Sequence, residues 1–259
     1  MSEIQTGSYN AFPFRSFIPF YVNGLGLSND VTTPNSLLDI GVGSIVDYTG
    51  TYQMVNSSAL VVSNLFTGIG GLDTGTVAAS TVYNVYLVSD PVTNNPIGGM
   101  ISLALPAVGP LMPYGYGAYA LIGHVTTDAS SHFLKGYWSD SDSAYRVFTY
   151  DAPIIALSGG TSTSYAGVAL TAFVPAYANV PVSIYSNFTA NAAADVENLQ
   201  GYNSTGDAVT IVAPVAGATA HTTSQNTVLA QLNTAAPSIK YKVSAGSVSL
   251  YVVSYSFNL

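Results

Sequence analysis

The side chains of this chain that could do chemistry are few and far apart. Gly68-Ile69-Gly70-Gly71-Leu72-Asp73-Thr74-Gly75 is a glycine-rich loop with one carboxylate, and it runs into the apolar stretch from Thr81 to Val88. Such a loop cradles a phosphate when it opens a helix, because the free amides at a helix N-terminus point at the anion. It holds calcium when the carboxylate recurs in a nonapeptide repeat. Otherwise it only turns the chain. The residues before it decide which. Asn56-Ser57-Ser58 has capping chemistry, Leu60, Val61, Asn64 and Leu65 recur at helical spacing, and Gly68 follows. That pattern predicts a short helix over about residues 58–66. It puts the glycines at a helix C-terminus, the wrong end for a phosphate, and there is no Gly-Lys-Thr/Ser. The Asp73 motif occurs once. The stretch reads as a capping turn with Gly68 at positive φ and Asp73 bonding locally.

The remaining candidates are examined the same way. His124, His132 and His221 sit in strand or loop contexts, no Gly-x-Ser-x-Gly elbow accompanies the serines, and no His pair with a Glu suggests zinc. Asp140-x-Asp142 lies in a serine-rich turn without the further acids and glycine of a calcium loop, so it reads as a solvated hairpin tip. Cysteine is absent, which removes disulfides and thiol chemistry together. These residues predict no catalytic group, no cofactor and no metal. What stands out instead is aromatic. Tyr114, Tyr116, Tyr119, Tyr137 and Trp138, with Tyr145 nearby, fall within about thirty residues and form a candidate contact surface. Rings with a polar tip suit subunit contacts or sugar stacking, and they are also ordinary residues of a sheet. Phe12, Phe14, Phe17 and Phe20, interleaved with Pro13 and Pro19, form a candidate assembly arm at the N-terminus.

The elements that must position these residues are strands. Only 7% of the 259 residues are charged, against about 25% in a typical soluble protein. Val, Thr, Tyr and Ile dominate where helix formers with charged ends would otherwise stand. Thirteen acids face five cations, Arg15, Lys135, Arg146, Lys240 and Lys242, for a formal charge of −8. That balance excludes a nucleic-acid or anionic-membrane partner, since neither can be held by five scattered cations. The uncharged span from Ile97 to Gly123 contains Pro106, Pro110 and Pro113, so it reads as strand, Pro-rich turn and strand, not as a membrane helix. The opening Met-Ser-Glu-Ile-Gln has neither the basic nor the apolar region of a signal peptide. A surface so poor in charge repels its neighbours weakly and suits packing against other copies.

The expected organisation is an all-β chain of two antiparallel β units, sandwich-like or jelly-roll-like. An arm over 1–20 leads into a first unit over 21–152. The stretch Pro153 to Gly160 reads as a linker or long turn, and a second unit occupies 153–259. In Ile239-Lys240-Tyr241-Lys242-Val243 the alternation puts both lysines on one face and the apolar residues on the other.

Several blocks in order resemble a segment of bacteriophage virion proteins of the tail-fibre and head-fibre kind. They are Gly26-Leu27-Ser28-Asn29-Asp30 with Asp39-Ile40, then Gly70-Gly71-Leu72-Asp73-Thr74-Gly75, Val82 to Val88, Met112-Pro113-Tyr114-Gly115-Tyr116, and Leu121-Ile122-Gly123. The resemblance covers roughly residues 22–150. The chain departs from the pattern just before the Ile-Gly pair, where a basic residue is expected and Tyr119-Ala120-Leu121 stand. The resemblance implies a structural virion protein on the particle exterior, a homo-oligomer that is most simply a trimer, other virion proteins as partners, and no catalytic residues. The alternative from another class is a carbohydrate-binding module for a host surface glycan.

Overall fold

The structure is a computed structural model, and it describes residues 22–258 apart from 91, 93–95, 142–144, 178, 214–220 and 235. The candidate arm Phe12, Phe14, Phe17 and Phe20 lies outside the described residues, as does Asp142. The described chain is strand throughout, with no α-helix. In order the strands are β1 (Val22–Gly24), β2 (Leu27–Asn29), β3 (Leu37–Ile40), β4 (Gly43–Val46), β5 (Gln53–Asn56), β6 (Leu60–Ser63), β7 (Val82–Ser89), β8 (Gly98–Ser102) and β9 (Ala118–Thr126). There follow β10 (Gly136–Ser141), β11 (Tyr145–Gly160), β12 (Ala166–Ala169), β13 (Asn179–Thr189), β14 (Val196–Gly201), β15 (Val209–Val212), β16 (His221–Asn233), β17 (Ala236–Val243) and β18 (Ser247–Asn258).

The alternation of side chains explains why these residues are strands. In β13, Val180, Val182, Ile184, Ser186 and Phe188 are buried while the residues between them are partly or fully exposed. A period of two fits a pleated element with one face on the core. The strands assemble into two three-stranded sheets, β1-β4-β5 and β8-β7-β9, and one long sheet in the order β15-β14-β17-β16-β13-β18-β11-β10-β2-β3-β6, with β12 added beside β17. Pairings between these strands are antiparallel. The C-terminal strand β18 lies between β11 and β13, so the last residues of the chain join its two halves. One apolar cluster runs from Val22 to Phe257, and a smaller one forms around Tyr86, Val88 and Met100.

Two expectations need correction. The helix expected near residues 58–66 is strand β6, paired in register with β3 from Leu37↔Ser63 to Ile40↔Leu60. Val62 is fully buried and Val61 is 48% exposed, so the two side chains leave the strand on opposite faces. A nine-residue helix is marginal on its own, and the β3 edge offered these β-branched residues a full ladder of hydrogen bonds instead. The expected linker from Pro153 to Gly160 is the second half of β11. Its pairing with β18 jumps from Thr149↔Ser254 to Ile154↔Val252, so Pro153 sits in a bulge where its missing N–H costs no ladder bond. The division expected at residue 153 therefore falls inside a continuous strand.

Arg146 locks the three sheets together. It is 3% exposed, and it reaches from β11 to donate through Nη1 to Leu25 O at 3.1 Å and Ile122 O at 2.5 Å, and through Nη2 to Gly24 O at 2.6 Å. Those carbonyls belong to the β1–β2 junction and to β9. Leu25 itself is fully buried at φ 58, a conformation that costs a residue with a Cβ about 1 kcal/mol. Replacing Arg146 by Met removes the donor from two buried carbonyls, Leu25 O and Ile122 O, and from the part-buried Gly24 O, so chemical denaturation should show a loss of about 3 kcal/mol or more. Lysine should rescue only part of it, because one ammonium lacks the planar fork that spans these acceptors.

Candidate functional site

The five candidate aromatic residues divide by strand geometry. Tyr119, at the start of β9, stacks on Tyr48 with ring centroids 5.6 Å apart and 9° between planes, and meets Tyr86 edge-on at 5.9 Å. Its hydroxyl donates to Pro106 O at 3.2 Å, and that of Tyr116 donates to Pro96 O at 2.9 Å. The buried Tyr86 donates to Ala104 O at 2.6 Å. These phenols pin the connection between β8 and β9 to the sheet below it, which leaves Tyr114 at the connection's surface, fully exposed. Tyr137 and Trp138 are neighbours in β10, so they point to opposite faces. Tyr137 is half exposed, whereas Trp138 is buried and donates its Nε1–H to His124 O at 3.3 Å. Trp138 is therefore a core residue and leaves the candidate contact surface.

Among the described residues, fifteen of the nineteen exposed large apolar side chains lie between Val31 and Tyr114, about a third of the chain. Leu103, Leu105, Val108 and Leu111 line the connection between β8 and β9, and Leu65 and Phe66 occupy the turn after β6. Sequence reasoning found the rings and missed these aliphatic residues, because only the structure shows which of them the core leaves out.

Most amides of the glycine-rich stretch are committed within the fold. The N–H groups of Gly68, Gly70, Gly71, Leu72 and Asp73 donate to Leu72 O, Gly99 O, Gly68 O, Phe66 O and Ile101 O. Gly68 has φ 93, as expected, but it turns the chain after a strand and not after a helix. At Gly71 a Cβ would fall 2.2 Å from Phe66 O, so only glycine lets the turn close. The Asp73 carboxylate does more than bond locally. Oδ1 accepts from Thr74 N at 2.8 Å, while Oδ2 accepts from Ser102 Oγ at 2.6 Å and from Leu111 N at 3.0 Å. It fastens the glycine turn to the apolar connection, and an asparagine, with one acceptor oxygen, could not make all three bonds.

Four other aspartates are also occupied with turns. Asp47 accepts from Thr51 N and Tyr52 N, Asp30 from Thr32 N and Thr33 N, Asp128 from Ser130 N and His132 N, and Asp195 from Asn191 N and Ala192 N. His124 is completely buried in β9, with Nε2 3.0 Å from Tyr177 Oη, Nδ1 without a partner, and the Phe257 ring centred 4.3 Å away. Burial pushes its pKa down to about 3, so it is a neutral core residue. Glu197, in β14, is also fully buried and neither carboxylate oxygen has a partner. Burial pushes it up to about 7, against the opposing effect of the Ser186 hydroxyl.

No family model and no curated protein matches the chain. Among solved structures, a carbohydrate-binding module from Cellvibrio mixtus lichenase 5A, in complex with cellotriose, aligns at 15% identity and a TM-score of 0.22, covering 48% of this chain and 85% of that one. The infectious bursal disease virus Gx strain aligns at 12% identity and 0.21, covering 92% and 68%. The VP2 subviral particle of infectious bursal disease virus aligns at 11% and 0.22, covering 92% and 71%. At TM-scores this low the likenesses carry no argument about what the chain does.

The two buried titratable groups set opposite pH slopes. His124 has a folded pKa below its ordinary 6.5, so the unfolded chain takes up the proton first and stability falls as pH drops below about 6.5. Glu197 has a folded pKa above its ordinary 4.5, so stability falls as pH rises from about 4.5 through 7. Replacing Glu197 by Gln removes the second slope. The variant should gain on the parent by about 3 kcal/mol between pH 4 and pH 8, read from denaturation midpoints at the two pH values.

Proposed function

We propose that the chain is a non-enzymatic structural component of a bacteriophage virion, carried on the outside of the particle and working as a homo-oligomer. The observation that carries this reading is the crowding of exposed Leu, Val, Phe and Tyr side chains between Val31 and Tyr114. Large apolar side chains left at the surface are covered when copies pack together, and their concentration in one third of the chain favours such a face. The low charge supports the same reading, since little repulsion opposes close approach of copies. The word bacteriophage rests on the sequence resemblance over residues 22–150. The connection bearing Leu103 to Tyr114 also explains why Asp73 is built as it is. A loop meant to meet a partner must hold its shape before contact, and the carboxylate and the tyrosine hydroxyls hold it.

The carboxylates support a non-catalytic role. Those of Asp30, Asp47, Asp73, Asp128 and Asp195 are engaged by turn amides, and a carboxylate committed to several N–H donors is a poor base or nucleophile.

Gold-labelled antibodies against the chain should decorate intact particles of the phage that encodes it, at regular positions and without prior disruption. Particles that contain no copy of the chain by mass spectrometry would overturn the reading. Labelling that needs disrupted particles would remove the exterior placement.

A further inference from the structure

The β17 strand presents Lys240 and Lys242 on one face, while Tyr241 and Val243 turn into the core. Residues two apart on a strand are about 6.7 Å apart, so the two side chains emerge side by side. Each ammonium is held over a ring. Lys240 Nζ lies 4.8 Å from the centroid of Tyr202, and Lys242 Nζ lies 4.4 Å from that of Tyr165. Tyr165 immediately precedes β12 and Tyr202 immediately follows β14, the two strands that flank β17. Both rings therefore lie along the lysine face, Tyr202 at Lys240 and Tyr165 at Lys242.

Gly167 is the β12 residue paired with Lys240, and a Cβ there would come within 3.1 Å of Tyr202 Cε2. A glycine lets that ring lie close against the strand. On the other flank, Gln200 pairs with Lys240 and Asn198 with Lys242, and both amides are buried. Asn198 Nδ2 donates to Asp207 Oδ2 at 2.8 Å and Thr210 Oγ1 at 2.9 Å, which orders the exposed polar rim beside the lysines.

Neither Lys240 nor Lys242 forms an ion pair or a hydrogen bond among the described residues. The chain has thirteen acids to five cations, so carboxylates were available to pair with them. Two cations positioned by aromatic rings and left with all their N–H donors free form a preorganised anion site.

We propose that this face, Lys240 and Lys242 with Tyr165 and Tyr202, binds an acidic polysaccharide. The lysines meet charged groups on neighbouring sugars. The ring edges and the Thr210 hydroxyl meet the sugar carbons and hydroxyls. A duplex nucleic acid fits poorly, because its phosphates, one per about 1.7 Å of helix axis, are far denser than two cations can neutralise. The site goes beyond the virion reading and is independent of it, since it requires only the chemistry of the ligand.

The test uses the full chain and polygalacturonate as probe, in affinity electrophoresis at low salt, with neutral dextran and duplex DNA as the comparison arms. The parent should be retarded by polygalacturonate and not by dextran, and the retardation should vanish at high salt. The double variant Lys240→Gln/Lys242→Gln should lose at least tenfold in affinity, and Lys240→Arg/Lys242→Arg should keep most of it. Lys135→Gln, a change of the same charge at an exposed site elsewhere, should bind as the parent does. Binding by the double glutamine variant equal to the parent's overturns the proposal. So does a parent that ignores polygalacturonate, or one that binds DNA as tightly.

Discussion

The guanidinium of Arg146 is the constraint on which the other parts of this structure depend. An ion of this size taken out of water is costly, and it is tolerated where its donors find fixed acceptors. Here the acceptors are carbonyls of Gly24 in β1, of Leu25 in the junction after it and of Ile122 in β9, while Arg146 itself stands in the long sheet. Meeting them holds Leu25 at positive φ, and the Leu25 N–H is returned to Val42 O at 2.9 Å. The chain can therefore leave the small sheet at β1 and enter the long sheet at β2 within two residues. With β9 held against β10 and β11, the rings of His124, Trp138, Phe148 and Phe257 close over one another, at centroid separations of 4.3 Å for His124 and Phe257 and 5.0 Å for Trp138 and Phe148. A buried histidine then has a phenol for one nitrogen and aromatic faces for the rest.

Much of this was legible in the residues, wherever a period of two was clean. The apolar stretch from Thr81 to Val88 is strand β7, the uncharged span from Ile97 to Gly123 is strand, Pro-bearing connection and strand, and both lysines of β17 share a face as read. Other parts were hidden for identifiable reasons. The i, i+3, i+4 spacing around Leu60 looked helical because seven residues are too few to separate the two periods, and only the partner strand β3 decides. The strand Val196–Gly201 went unseen because Glu197, Asn198 and Gln200 have poor strand propensity, and their burial comes from β15 and β17 on either side. Pro153 looked like a linker because a proline signals a break, while the bulge that accommodates it depends on the register with β18.

The candidate site was legible in kind and not in extent. The tyrosines between Tyr114 and Tyr119 do crowd one connection, but consecutive residues Tyr137 and Trp138 could never both face water in a strand. Leu103, Leu105, Val108 and Leu111 could not be told from core residues by type. The partners of Lys240 and Lys242, the rings of Tyr202 and Tyr165, lie 38 and 77 positions away in sequence, beyond any local pattern. Rigid turns tied down by aspartates, exposed apolar side chains concentrated in one third of the chain, and few charges to keep copies apart together support the proposal of a part that packs against others of its kind.

That claim is tested most directly by the mass of the purified chain in solution. Light scattering at micromolar concentration should give a closed multiple of the 26.8 kDa chain, three copies by the resemblance to phage fibres. A single species of 26.8 kDa, with its apolar side chains left in water, would contradict the account.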